Sequence, residues 1–155
     1  MVDIVNPSVR SRMMAGIKGK NNKTEILVRH FLHSRGYRFR LHRKDLPGRP
    51  DLVLPKYRLA IFVNGCFWHR HAECAYATSP STRTDFWAAK LDGNAERDKQ
   101  QREQLVSSDW RVLTIWECGL KHAANQLIEL EALIQSKEIE MEWPLLLPKP
   151  RPSRI

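Results

Sequence analysis

A chain of 155 residues, 42% hydrophobic and 28% charged, has the length and composition of one globular domain with a real core. It has no apolar run near the roughly 20 residues of a membrane helix and no N-terminal secretory pattern, so a soluble protein of a reducing cytoplasm is expected. The formal net charge of +9 calls for a polyanionic partner, nucleic acid before an anionic membrane.

In chain order, residues 1–20 form a basic arm with Arg10, Arg12, Lys18 and Lys20. It is expected either to order on a partner or to remain a solubilising tail. Asn22-Lys23-Thr24-Glu25 has the form of a capping box opening a helix, with Leu27 and Phe31 as the buried stripe, Val28 and Leu32 as further candidates for it, and Gly36 at its end. Tyr37, Phe39 and Leu41 alternate with Arg38, Arg40 and His42, which predicts a strand with one basic face. After the turn Leu46-Pro47-Gly48-Arg49-Pro50, residues 51–54 and 58–63 read as two strands, the second nearly all apolar and central. A loop follows over 64–82. Thr84 can cap a long helix reaching Leu105. Residues 110–116 are another buried strand, 120–137 a final helix, and 141–155 an irregular proline-rich tail. The economical arrangement is an α/β domain over 21–140, a central mixed sheet with helices on its faces.

All three cysteines can be assigned to one metal. Cys66, His71 and Cys74 sit in the loop with gaps of four and two residues, and Cys118 follows the last strand. A Cys3His set suits tetrahedral zinc, and Cys118 would staple the loop to the sheet. The odd number of cysteines argues against a disulfide scaffold. Three buried structural thiols are the alternative. His69 is left over inside the same run, directly after Phe67 and Trp68.

Asp51 begins a strand just before a second one. A carboxylate there can share a cation with a backbone carbonyl at the end of the neighbouring strand, a donor set that suits Mg2+. By itself, an aspartate after Pro50 is an ordinary turn residue.

Taken together, Pro47-Gly48-Arg49-Pro50-Asp51, Asn64-Gly65-Cys66-Phe67-Trp68-His69, Thr84-Asp85-Phe86-Trp87, Asn94-Ala95-Glu96-Arg97-Asp98 and Trp116-Glu117-Cys118 resemble, in order and spacing, the very-short-patch-repair (Vsr) DNA mismatch endonucleases, over about residues 8–135. The resemblance implies a restriction-endonuclease-like fold and a strand-specific nick beside the thymine of T·G mismatches left by 5-methylcytosine deamination. It implies that Asp51 and the Val63 carbonyl hold catalytic Mg2+, that His69 is the general base, and that Asp98 orients it. It gives Glu25 a place near the metal, where a capping role competes. It makes Cys66, His71, Cys74 and Cys118 structural zinc ligands, and Phe67, Trp68 and Trp87 wedges into the DNA.

Chemistry supports these roles independently. Histidine titrates near neutrality and takes a proton from water when a carboxylate fixes its tautomer. Aromatic wedges unstack a mismatched step at least cost. Asn64 departs from the pattern: many family members have histidine there, and an amide donates to phosphate but carries no charge. The expected partner is double-stranded DNA with a T·G mismatch, with other mismatch-repair proteins as a second class. A monomer in the bacterial cytoplasm, working at the nucleoid, is expected, since a lesion on one strand needs no two-fold symmetry. The rivals are a restriction-type nuclease of the same fold and a non-catalytic, zinc-stapled DNA-binding module.

Overall fold

The computed structural model describes residues 23–147, so the basic arm 1–20, Asn22 of the capping box, and Pro148, Pro150 and Pro152 lie outside the described residues. The chain divides into two units, Met1–Tyr37 and Arg38–Ile155. Among the described residues, no helix is long and apolar enough to cross a membrane.

In the first unit, helix α1 covers Lys23–Ser34. It ends where Gly36 adopts φ +85°, with Gly36 N–H donating to His33 O (3.0 Å) and Tyr37 N–H to Leu32 O (3.0 Å). This is a Schellman ending, and the left-handed residue it needs is cheapest as glycine. The buried side chains of α1 are Glu25, Val28 and Leu32, while Leu27 is exposed and Phe31 half-buried. Of the expected stripe, Leu27 and Phe31 with Val28 and Leu32 as further members, Val28 and Leu32 are the buried pair. The two rows are adjacent on a helix, and periodicity alone does not choose between them.

The second unit is a mixed α/β structure around a five-stranded sheet, in the order β1 (Arg40–Leu41), β2 (Leu52–Leu54), β3 (Leu59–Asn64), β4 (Arg111–Trp116), β5 (Glu140–Trp143). β1 to β3 pair antiparallel, and β3, β4 and β5 run parallel. The strand expected over 37–42 is only two residues long, because His42 turns out of it at φ +51°. β2 and β3 are joined by a single 3-10 turn closed by Arg58 in the left-handed region.

Helix α2 (Thr84–Ser107) makes the crossover between β3 and β4. Thr84 is its first helical residue and not its cap. Arg83 holds the cap position at φ +51° without a side-chain capping bond. Leu105 and Val106 of α2 pack with Trp110 on the sheet face formed by Val53, Ala60, Phe62 and Val112. Strand alternation sends Leu52, Ile61, Leu113 and Met141 to the opposite face, where all four are buried.

After β4 the expected single helix over 120–137 is broken into α3 (Glu117–His122), a 3-10 turn (Ala124–Gln126) and α4 (Glu129–Gln135). A Cβ on Gly119 would lie 2.7 Å from the Trp143 ring and 2.8 Å from Pro144. α3 thus packs closely against the end of β5. Arg111 at the start of β4 donates to the Ile134 and Leu133 carbonyls at the end of α4 (3.0 Å each), satisfying groups the helix leaves open. The tail expected to be irregular from residue 141 begins as β5, whose exposed-buried alternation is a period-2 strand signal.

Candidate functional site

The parallel pairing of β3 and β4 builds the cysteine site. Asn64 and Trp116 are register partners, so Cys66 and Cys118, each two residues further on, emerge side by side. Cys118 N–H donates to Cys66 Sγ (3.4 Å), and Cys118 Sγ lies 3.5 Å from His71 Nδ1. One ligand atom from each of Cys66, His71, Cys74 and Cys118 lies within 4.8 Å of the others. Zn–S and Zn–N bonds of about 2.3 and 2.05 Å at a tetrahedral angle separate sulfur from nitrogen by about 3.5 Å, so the spacing fits zinc. His71 is buried and stacked on Trp116, with ring centroids 4.1 Å apart. Burial pushes the Cys118 thiol up to about 11 and Cys66 upward as well, and it pushes His71 down towards the neutral ligand form. Buried thiolates here need a cation to offset their charge.

The same loop carries His69. Its Nδ1 lies 2.6 Å from Asp98 Oδ2 on α2, and both side chains are partly buried. One helical turn earlier, Asn94 Nδ2 donates to the Trp68 carbonyl (3.1 Å), and Arg70 pairs with Asp92 at 3.0 Å. Three contacts therefore fix the loop along α2. The sequence reading gave Asn94 no role, although its i, i+4 spacing to Asp98 puts both on one helix face. Tyr76 adds a tie from the loop to the end of α3, its hydroxyl 2.5 Å from His122 Nε2.

Phe67, Trp68 and Trp87 are half-buried and form one cluster, with ring centroids 5.1, 5.8 and 6.0 Å apart. Exposed Phe86 extends it by an edge contact to Trp87 at 5.5 Å. The Lys90 ammonium stands over Trp68 (5.6 Å) and Trp87 (5.7 Å), and the Arg83 guanidinium over Phe86 (4.5 Å). Partly exposed π faces under cationic groups are a surface that nucleic acid bases and phosphates can meet.

Asp51 precedes β2, and its Oδ2 accepts from Val63 N–H across the sheet (2.8 Å). This bond holds the carboxylate against the backbone near the end of β3. A carboxylate and a backbone carbonyl are hard oxygen donors of the kind Mg2+ prefers, and a ring nitrogen of His42 lies within 4.8 Å of the Asp51 carboxylate. Asn64 is buried and lines a small depression with Asp98, Phe62, Thr114, Gln101 and Arg102. The turn before Asp51 closes on the same helix: a Cβ on Gly48 would lie 2.8 Å from Gln101 Oε1. Glu25 belongs to the first unit, where it is buried and accepts from Arg29 one turn on.

The family described as DNA mismatch endonuclease Vsr matches residues 2–75. Among relatives, the type II nicking enzyme V.XorIIP of Xanthomonas oryzae pv. oryzae is 47% identical over 136 residues, covering 88% of this chain and 96% of the relative. The type II nicking enzyme V.NmeAIP of Neisseria meningitidis is 42% identical over 135 residues, 87% and 96% of the two chains. The DNA mismatch endonuclease Vsr of Escherichia coli is 38% identical over 143 residues, 92% and 88% of the two.

Proposed function

This chain belongs to the Vsr DNA mismatch endonuclease family and is a DNA endonuclease, and on that premise we propose that it nicks one strand of duplex DNA beside the thymine of a T·G mismatch. The fold is read as restriction-endonuclease-like, with residues 21–140 as the catalytic domain and the basic arm 1–20 engaging DNA. Cys66, His71, Cys74 and Cys118 are assigned to structural zinc, and Asp51 with the Val63 carbonyl to catalytic Mg2+. The observation that carries the reading is the 2.6 Å contact of His69 Nδ1 with Asp98. His69 sits on the loop that also carries Cys66, His71, Cys74, Phe67 and Trp68.

Asp98 accepts the Nδ1 proton of His69, which leaves Nε2 with its lone pair facing outward as the base. The attacking water forms its bond to phosphorus as its proton passes to His69 Nε2. The bond from phosphorus to the 3′ oxygen breaks, and that oxygen leaves and takes a proton from solvent. The products are a 3′-hydroxyl and a 5′-phosphate. A bound Mg2+ would supply charge neutralisation at the phosphate and a more acidic water.

Phe67, Trp68 and Trp87 enter beside the mismatch. The cost of unstacking, a few kcal/mol, is least where pairing is already weak, so the wedge itself favours damaged sites. Lys and Arg residues supply the phosphate contacts that dominate affinity. Asn64 donates to a phosphate oxygen without adding charge. The names of the nicking-enzyme relatives support single-strand cleavage, and that of the Escherichia coli relative supports the mismatch substrate. The test is to incubate the protein with T·G duplexes of varied flanking sequence, with and without Mg2+, and to map nicks and end groups on each strand. One Mg2+-dependent nick on the thymine strand is expected. Cuts on both strands, or on neither in any flanking sequence, would overturn the reading.

A further inference from the structure

We infer that His42 is an imidazole ligand to the same cation as Asp51, which gives this chain a preference for Mn2+ over Mg2+. A ring nitrogen of His42 and a carboxylate oxygen of Asp51 lie within 4.8 Å of one another, a span one divalent ion can bridge after a small side-chain adjustment. The backbone holds them together. Leu41 is the register partner of Leu52, and His42 N–H donates to Asp51 O at 3.1 Å. His42 leaves the strand at φ +51°, a left-handed conformation unusual for a non-glycine residue, though several-fold enriched in histidine.

Mg2+ prefers oxygen and binds nitrogen poorly, so an all-oxygen site of carboxylate, carbonyl and water suits it. Imidazole suits later divalent metals, and Mn2+ accepts both donor types. A nitrogen in the shell of Asp51 therefore raises Mn2+ affinity more than Mg2+ affinity. The inference rests on the reading that Asp51 holds the catalytic cation.

The test uses the full-length, zinc-loaded chain without DNA and Mn2+ as the probe. Electron paramagnetic resonance titration measures Mn2+ affinity, competition gives Mg2+ affinity, and pulsed measurements detect nitrogen bound to Mn2+. For the unaltered chain we expect nitrogen coupling on bound Mn2+. His42→Ala should remove the coupling and weaken Mn2+ binding at least about 10-fold, with a much smaller change for Mg2+. Should His42→Ala not fold, His42→Gln carries the same readings, since its amide oxygen can occupy the position without a nitrogen ligand. Coupling that persists in the His42 variants overturns the inference, as does a loss of affinity equal for both metals. Asp51→Asn separates the two readings. If it abolishes Mn2+ binding and the His42 variants do not alter it, only the His42 inference fails. If Asp51→Asn leaves Mn2+ binding unchanged, the assignment of the cation to Asp51 fails as well.

Discussion

His69 Nδ1 and Asp98 Oδ2 stand 2.6 Å apart across 29 positions of sequence, one on a cysteine-rich loop and the other in the middle of a helix. The carboxylate fixes which ring nitrogen carries the proton. Both side chains should therefore matter to chemistry more than to affinity. His69→Ala is expected to slow nicking of a T·G duplex about 100- to 10,000-fold with little change in duplex binding. Its rate should recover partly at high pH, where hydroxide replaces the missing base. Asp98→Asn should slow nicking without that recovery, because the imidazole remains but its tautomer is no longer held. Single-turnover rates against pH, with binding measured in parallel, check both variants. Near-normal nicking by His69→Ala at neutral pH would remove it as the base.

Cys66 and Cys118 each follow a strand end by two residues, so a metal bound there would tie β3, β4 and the loop into one piece. One tightly bound zinc per chain is expected by elemental analysis. Stripping it with a chelator should lower the unfolding temperature and abolish nicking together, since binding free energy at such sites is folding free energy. Cys118→Ala should do the same. A zinc-free protein that unfolds at the same temperature, with all three thiols titrating freely in the native state, would contradict this.

The Trp68 ring sits in a half-exposed cluster, and its backbone carbonyl accepts from Asn94 Nδ2. Trp68→Ala should leave the unfolding transition in place and weaken binding at the mismatch by about 1–3 kcal/mol. Asn94→Ala should leave the ring but loosen its loop, reducing discrimination between mismatched and paired duplexes. Loss of cooperative unfolding in Trp68→Ala, with mismatch preference kept, would make that ring part of the core.

Gly119 has no room for a side chain against Trp143 and Pro144. Gly119→Ala should destabilise the fold by about 1–3 kcal/mol through overpacking, even though alanine is the better helix former. Urea unfolding measures it. Equal or greater stability would show that α3 and β5 can move apart without cost.

Much of this was legible in sequence because chemistry demands particular residue types at particular spacings. The Cys66, His71, Cys74 and Cys118 set needed no structure to suggest itself, and neither did the apolar runs of β3 and β4. What was not legible depends on packing. The break after α3, at Ala123, is announced by no glycine or proline in residues 120–137. Of the four residues read as candidates for the stripe of α1, Val28 and Leu32 are buried and Leu27 is exposed; adjacent helical rows look alike in sequence. β5 carried a readable alternation, but the prolines after it drew the boundary too early. His42 was read as one member of a basic strand face. Its left-handed turn, which brings it to Asp51, leaves no trace in a period-2 pattern.

Selective hydrolysis of one strand at a mismatch is tested by a single ratio of rates. Two duplexes identical except for T·G or a paired base at one position are each labelled on both strands and cut under single-turnover conditions with Mg2+. The prediction is a nick beside the mismatched thymine on its own strand, at a rate far above any cleavage of the paired duplex, and lost in Asp51→Asn. Equal rates on the two duplexes, or equal cleavage of both strands, would contradict it.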